Sequence, residues 1–214
     1  MTKHRIGLVL GTAMLALAAC GGGESSEPQA APVQDDFSAE VCRFGYLEGT
    51  TTKGYGCADG EFRGWIDNDQ ESYDFIAASA GESYGDVSIE VDARFVSGDD
   101  AGVYLLCRGS QLSGDFYAFR VGVDGSVEIT DYLDGEEQVA RLASLPEGSL
   151  LPGANRLRAD CIGNNLSLFV NGNLVLERAI EGGAYGQGDI GLGAGGASSG
   201  LSEVRFDNLA VSQP

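Results

Sequence analysis

Arginine is the side chain best placed to do chemistry in this sequence. Four arginines close or lie within three apolar runs: Tyr104-Leu105-Leu106-Cys107-Arg108, Phe116-Tyr117-Ala118-Phe119-Arg120 and Asn155-Arg156-Leu157-Arg158. If Leu105 and Cys107 face a core, strand alternation turns Tyr104, Leu106 and Arg108 to the other side. The same alternation sets Phe116, Ala118 and Arg120 against Tyr117, Phe119 and Val121. It sets Arg156 and Arg158 against Leu157 and Ala159. Arg108, Arg120 and Arg158 are therefore expected on one sheet face, with Tyr104 and Tyr132 near them. Guanidinium groups gathered this way grip carboxylate or sulfate groups, and tyrosine rings stack on sugars. The competing expectation is that these arginines pair with the chain's own acids, Asp92, Asp115, Asp131 and Asp160.

Charge and histidine content remove whole classes of activity. Of the 214 residues, 32 are Asp or Glu and 13 are Lys or Arg, a net charge of −19. Nucleic acid is excluded as a partner, because phosphate binding needs clustered bases. Docking by charge on anionic lipid is excluded for the same reason. The one histidine, His4, stands in the leading segment. Without it there is no Ser-His-Asp or Cys-His machinery and no His-ligated zinc or haem. The acidic turns Ser97-Gly98-Asp99-Asp100 and Asp67-Asn68-Asp69 offer oxygens suited to Ca²⁺, but neither has the EF-hand spacing. No cofactor is expected. Trp65, the lone tryptophan, reads as a core or edge anchor rather than a sugar platform.

The leading residues direct export. Lys3, His4 and Arg5 are followed by an apolar run from Ile6 to Leu17, too short to cross a bilayer, which takes ~20 residues. Leu17-Ala18-Ala19-Cys20 then resembles the lipobox of bacterial lipoproteins. The resemblance implies cleavage before Cys20 and acylation of that residue, with residues 1–19 as signal peptide. The destination would be the cell envelope, in the periplasm or at the cell surface. Residues 20–34, rich in Gly, Ser, Glu, Pro and Ala, read as a disordered tether. Replacing Cys20 with Ser is expected to give soluble or uncleaved protein, since no other apolar run is long enough to span. Detergent partitioning checks this; equal partitioning of both forms into the detergent phase would refute the anchor.

Four cysteines remain: Cys42, Cys57, Cys107 and Cys161. In an exported domain they imply two disulfides, with three possible connectivities. A Cys42–Cys57 bridge would close a Gly-rich loop with little core of its own. Cys107 and Cys161 each lie late in an apolar strand. A four-thiolate zinc site is the rival use, but no C-x-x-C spacing is present.

The elements that must position these groups are strands. Residues 86–97, 101–108, 115–123, 126–133, 138–144, 155–162, 166–170, 174–180, 189–195 and 201–211 read as strands. Asp124-Gly125, Asp134-Gly135 and Asn171-Gly172 are hairpin turns between them. No long 3.6-residue period interrupts the series. The fold class expected is all-β, an antiparallel β-sandwich over residues 35–214.

One series of segments carries a family resemblance. Asp35-Asp36-Phe37-Ser38, Gly64-Trp65, the three arginine-bearing runs, Leu166-Ser167-Leu168-Phe169-Val170-Asn171-Gly172 and Phe206-Asp207-Asn208 occur in that order. The series resembles the concanavalin A-like jelly roll of bacterial lipoproteins, laminin G-like domains and the 3-keto-disaccharide hydrolase group. Residues 39–63 look like an insertion in that pattern, closed by the Cys42–Cys57 bridge. The resemblance implies Cys107–Cys161 pairing and adjacent first and last strands. Glucanases of this fold carry Glu-x-Asp-x-x-Glu on one strand. Here Glu90-Val91-Asp92-Ala93-Arg94-Phe95 has Phe95 in place of the third acid, against glycoside hydrolysis by that route. The expectation is a lipid-anchored envelope module that binds a glycan or envelope polymer without catalysis. A sugar-active hydrolase and a structural envelope protein are the alternatives.

Overall fold

The computed structural model describes residues 31–45, 52–68, 74–110, 113–180, 185–196 and 200–214. Cys20, the signal segment, most of the tether and Asp69 lie outside these residues. The described residues contain 14 strands and no helix. Three of the hairpins turn on a pair of left-handed residues: Asp59-Gly60 (φ 56° and 77°), Asp134-Gly135 (53° and 78°) and Asn171-Gly172 (50° and 79°). Positive φ at both positions matches the right-handed twist of the flanking strands, and Asp, Asn and Gly tolerate it best.

Two antiparallel sheets result. The larger runs β12(Asn173–Ala179), β11(Asn165–Val170), β10(Asn155–Ile162), β5(Val87–Ser97), β14(Gly200–Ser212), β3(Glu61–Asn68) and β2(Lys53–Ala58), with β1(Val33–Asp35) also on β14. The smaller runs β4(Asp74–Ser79), β13(Asp189–Gly196), β6(Gly102–Ser110), β7(Asp115–Gly122), β8(Ser126–Leu133) and β9(Glu136–Ser144). This is the antiparallel sandwich expected.

Between the sheets the alternate residues of each strand meet. Val87, Ile89, Val91, Leu157, Ala159, Leu166 and Leu168 from one sheet face Leu105, Phe119, Val121, Val127, Ile129 and Leu192 from the other, all essentially inaccessible. Burying a side chain of leucine or phenylalanine size contributes about 1.5–3 kcal/mol. Covalent and polar ties cross the gap, among them the Cys107–Cys161 disulfide and an Arg178–Asp131 ion pair at 2.9 Å.

The segment read as an insertion is partly built into the larger sheet. Lys53–Ala58 is β2, paired with β3, and Phe62 is fully buried. Cys42 is bonded to Cys57, which pins the chain after β1 to that edge. Phe37, Phe44, Phe62 and Phe206 close this end of the core, with ring centroids 5.3–6.2 Å apart in the pairs Phe37–Phe44, Phe44–Phe62 and Phe62–Phe206. The first and last strands are adjacent as implied. The pairing is Val33 with Val211 and Asp35 with Leu209, so β1 begins two residues before Asp35.

Candidate functional site

The outer face of the six-stranded sheet has an unusual floor. In β13, Ile190, Leu192 and Ala194 point into the core, so the outward positions fall to Gly191, Gly193 and Gly195. Gly193 lies between Ala77 of β4 and Tyr104 of β6, and Gly191 between Ser79 and Leu106. A Cβ added at Gly193 would lie 2.6 Å from the Ile76 carbonyl oxygen; at Gly191, 2.8 Å from that of Ala78. Only glycine fits so close a backbone approach. The bare strand lets its neighbours settle against the sheet. Tyr104, Leu106 and Ala118 are buried here on an outward face, with Ala77, Phe116 and Tyr132 packed on them.

Cross-strand register sets the remaining groups in rows. Phe116 pairs with Tyr132, and their rings stack 4.6 Å apart at 20°. Arg120 stands between Tyr104 and Glu128. Its Nη1 donates to Ser126 Oγ at 2.7 Å. Thr130 donates its hydroxyl to Glu128. A groove of about 360 Å³ opens at one end, lined by Leu106, Phe116, Tyr55, Ser79 and Asp189 among others. The Asp189 carboxylate is committed to structure. It accepts from the Ser79 hydroxyl and from the backbone N–H groups of Gly81 and Ile190, both at 2.8 Å. Burial pushes its pKa above the usual carboxylate value, and those backbone donors pull it part of the way back.

Of the five residues expected to share one face, Tyr104, Arg120 and Tyr132 do. Arg108 does not. A one-residue bulge interrupts β6: Cys107 pairs with Tyr117, but Ser110 pairs with Asp115. Arg108 takes φ 52° in the bulge, and its side chain turns inward, 4% exposed. There it donates to Asp86 Oδ1 at 3.0 Å and to the carbonyls of Gly85 and Cys161, both at 3.3 Å. A bulge breaks the two-residue period on which the alternation rests. Arg158 lies on the other sheet altogether, on its outer face. It sits over Phe169 at 3.7 Å and beside Asp160 at 3.3 Å. Tyr104 is on this face but buried, 4% exposed, and offers no open platform.

The outer face of the eight-stranded sheet is a lattice of matched charges. Arg156 holds Glu90 at 2.9 Å and Asp92 at 3.2 Å. Arg94 grips Glu61 through Nε and Nη2, at 2.8 and 2.6 Å, and Arg205 bridges Glu61 and Glu203. The Arg94 hydrogen bond, above all, holds the Glu61 carboxyl below its usual value, with Arg205 adding to it and burial opposing. Phe95 is half-buried against the core where a third acid would be needed. Trp65 is half-buried on this face with Arg63 over its ring at 4.7 Å. Among the described residues, no group of three or more His, Cys, Asp or Glu side chains is placed to hold a metal ion.

Residues 46–212 match the model of the 3-keto-alpha-glucoside-1,2-lyase-like domain. The chain belongs to that family. No curated protein matches it in sequence. Among solved structures, the family's fold in this chain is similar to a carbohydrate-binding module, CBM66, from Bacillus subtilis. The TM-score is 0.59 at 17% identity, over 78% of this chain and 94% of that one. It is similar to a β-glucanase of Bacillus licheniformis, with TM-score 0.60 at 10% identity over 86% and 99%. A lichenase from a mouse hindgut metagenome gives 0.62 at 13% identity over 86% and 100%. This lyase-like domain is thus a jelly-roll sandwich, an architecture shared by carbohydrate-binding and glycan-cleaving proteins. The outward glycines of β13 and the Phe116–Tyr132 stack went unread in the sequence. The strict Gly-x-Gly-x-Gly of residues 191–195 was the available signal.

Proposed function

We propose that this chain is a lipid-anchored module of the cell envelope that binds a glycan on the outer face of the six-stranded sheet without catalysis. The observation that carries the reading is the glycine floor of β13 beside the Phe116–Tyr132 stack. A sugar ring has one apolar face and a rim of hydroxyls. The groove that opens over Gly191 beside the stacked aromatics receives the first, and Arg120 and Glu128 meet the second. The acids near this face support binding over cleavage. Asp189 is held by the hydroxyl and backbone donors of the β4 end, and Glu128 accepts from Thr130.

A glycan array on the full-length chain tests the reading, followed by titration of the best hit. Phe116→Ala is expected to weaken binding by about 1.5–3 kcal/mol, the worth of one buried aromatic side chain. Arg120→Ala is expected to cost about as much, the range for hydrogen bonds to a charged group. Its melting temperature should hold, because Ser126 keeps its 2.6 Å bond to Asp124. Unchanged affinity in both variants would reject this face as the site.

Family membership favours one second reading, a lyase acting on 3-keto α-glucosides. Such an elimination needs a general base, and Glu128 is the carboxylate on the aromatic face. Product release from a 3-keto α-glucoside, abolished by Glu128→Gln, would decide for the enzyme.

A further inference from the structure

A cavity of about 890 Å³ lies between the segment that follows β1 and the bulged part of β14. Asp35, Arg43, Glu82, Arg156 and Asn208 supply polar groups to it, and Val41 stands on it with 84% of its surface exposed. It shares no lining residue with the groove at the glycine face.

Its charges are matched in place. Arg43 reaches Asp35 at 3.2 Å and Glu82 at 2.9 Å. Arg156 reaches Glu90 at 2.9 Å and donates to the Asn208 carbonyl at 2.9 Å. A free anion entering the cavity meets Asp35 and Glu82, and a free cation meets Arg43 and Arg156. Neutral ligands meet neither penalty. A guanidinium carries five N–H donors and a carboxylate about four acceptor sites, more than these contacts use. Donors and acceptors side by side fit vicinal hydroxyls, each of which gives one hydrogen bond and takes another.

On one wall, and in the segment behind the other between the lining residues Asp36 and Ala39, the backbone is held where L-residues seldom go. Phe37 has φ 54° and Asn208 has φ 52°. For a residue as bulky as phenylalanine this is a true outlier, and such positions gather at ligand sites, where the surroundings hold them. Phe37 is held by its N–H on Asp35 Oδ1 at 2.8 Å and by its ring against Phe44 and Phe62. Asn208 is held by the bulge between Asp207 and Ala210 and by its amide on Asp92 at 2.9 Å. The first turn fixes Asp35, and the second aims a carbonyl at Arg156.

We infer that this cavity is a second binding site, for a neutral polyhydroxylated ligand of short-oligosaccharide size. Its volume lies within the range of small-molecule clefts. The test is calorimetric titration of the full chain with maltotriose, and with trigalacturonate as the anionic counterpart of equal length. Val41→Trp fills the cavity from an exposed position and leaves the fold intact. It should weaken maltotriose binding at least tenfold at a site that survives in Phe116→Ala, with Glu82→Gln weakening the same event. Trigalacturonate should bind there at least tenfold more weakly. The inference is overturned if Val41→Trp and Glu82→Gln leave titration unchanged, if no maltotriose binding survives Phe116→Ala, or if trigalacturonate is preferred. Loss in Phe116→Ala alone would leave the aromatic face standing and remove this site.

Discussion

Replacing Cys107 and Cys161 together with alanine is expected to lower the free energy of unfolding by about 4 kcal/mol. The two residues are 54 apart in sequence, and their bridge joins β6 of one sheet to β10 of the other. Closing a loop of that size restricts the unfolded chain by about 4 kcal/mol, against ~3 kcal/mol for the 15-residue separation of Cys42 and Cys57. Both cysteines of the longer loop are fully buried, so lost packing adds to the effect. Urea unfolding of the oxidised proteins measures it. The dependence on urea should also steepen, because an unfolded chain without the crosslink exposes more surface. A change below about 1 kcal/mol, or free thiols in the protein purified without reductant, would mean the sheets are not stapled this way.

Arg108→Ala is expected to cost about 2–4 kcal/mol of stability. The variant leaves the carbonyls of Gly85 and Cys161 without this donor, and a buried acceptor stripped of its partner costs about 1–3 kcal/mol. Asp86 adds less, because about half of its side chain is exposed and water replaces the lost ion pair. Arg108→Lys should recover only part of the loss, since one ammonium cannot span three acceptors set around a fork. Arg108→Gly should be more stable than Arg108→Ala by about 1 kcal/mol, the reverse of the usual order in a strand, because φ is 52° there. Equilibrium unfolding of the three variants tests the ranking. Weakened glycan binding in Arg108→Ala at unchanged stability would restore this residue to the binding face.

How much of this was legible follows from the range of each signal. Val87, Ile89, Val91 and Ala93 alternate with polar residues, so their shared inward face was readable in β5. Turn chemistry marked the hairpins at Asp134-Gly135 and Asn171-Gly172. Strands β1 to β4 carried weaker patterns. Lys53–Ala58 alternates glycine with larger residues, and glycine gives no hydrophobic signal even where, as at Gly54 and Gly56, it is buried.

The sequence by itself determined the sandwich class, the strong net negative charge, and which side of its own strand each regular residue takes. These depend on composition and on neighbours two residues apart. Only the tertiary structure decided which sheet a strand joins, and so it placed Arg158 behind the face that holds Arg120. Only the structure could show the bulge that turns Arg108 inward, because bulging depends on the partner strand's register and not on local spacing. The candidate site has the same origin. Gly193 and Tyr104 are far apart in the chain and become neighbours through β-pairing, which alternation within either strand cannot report.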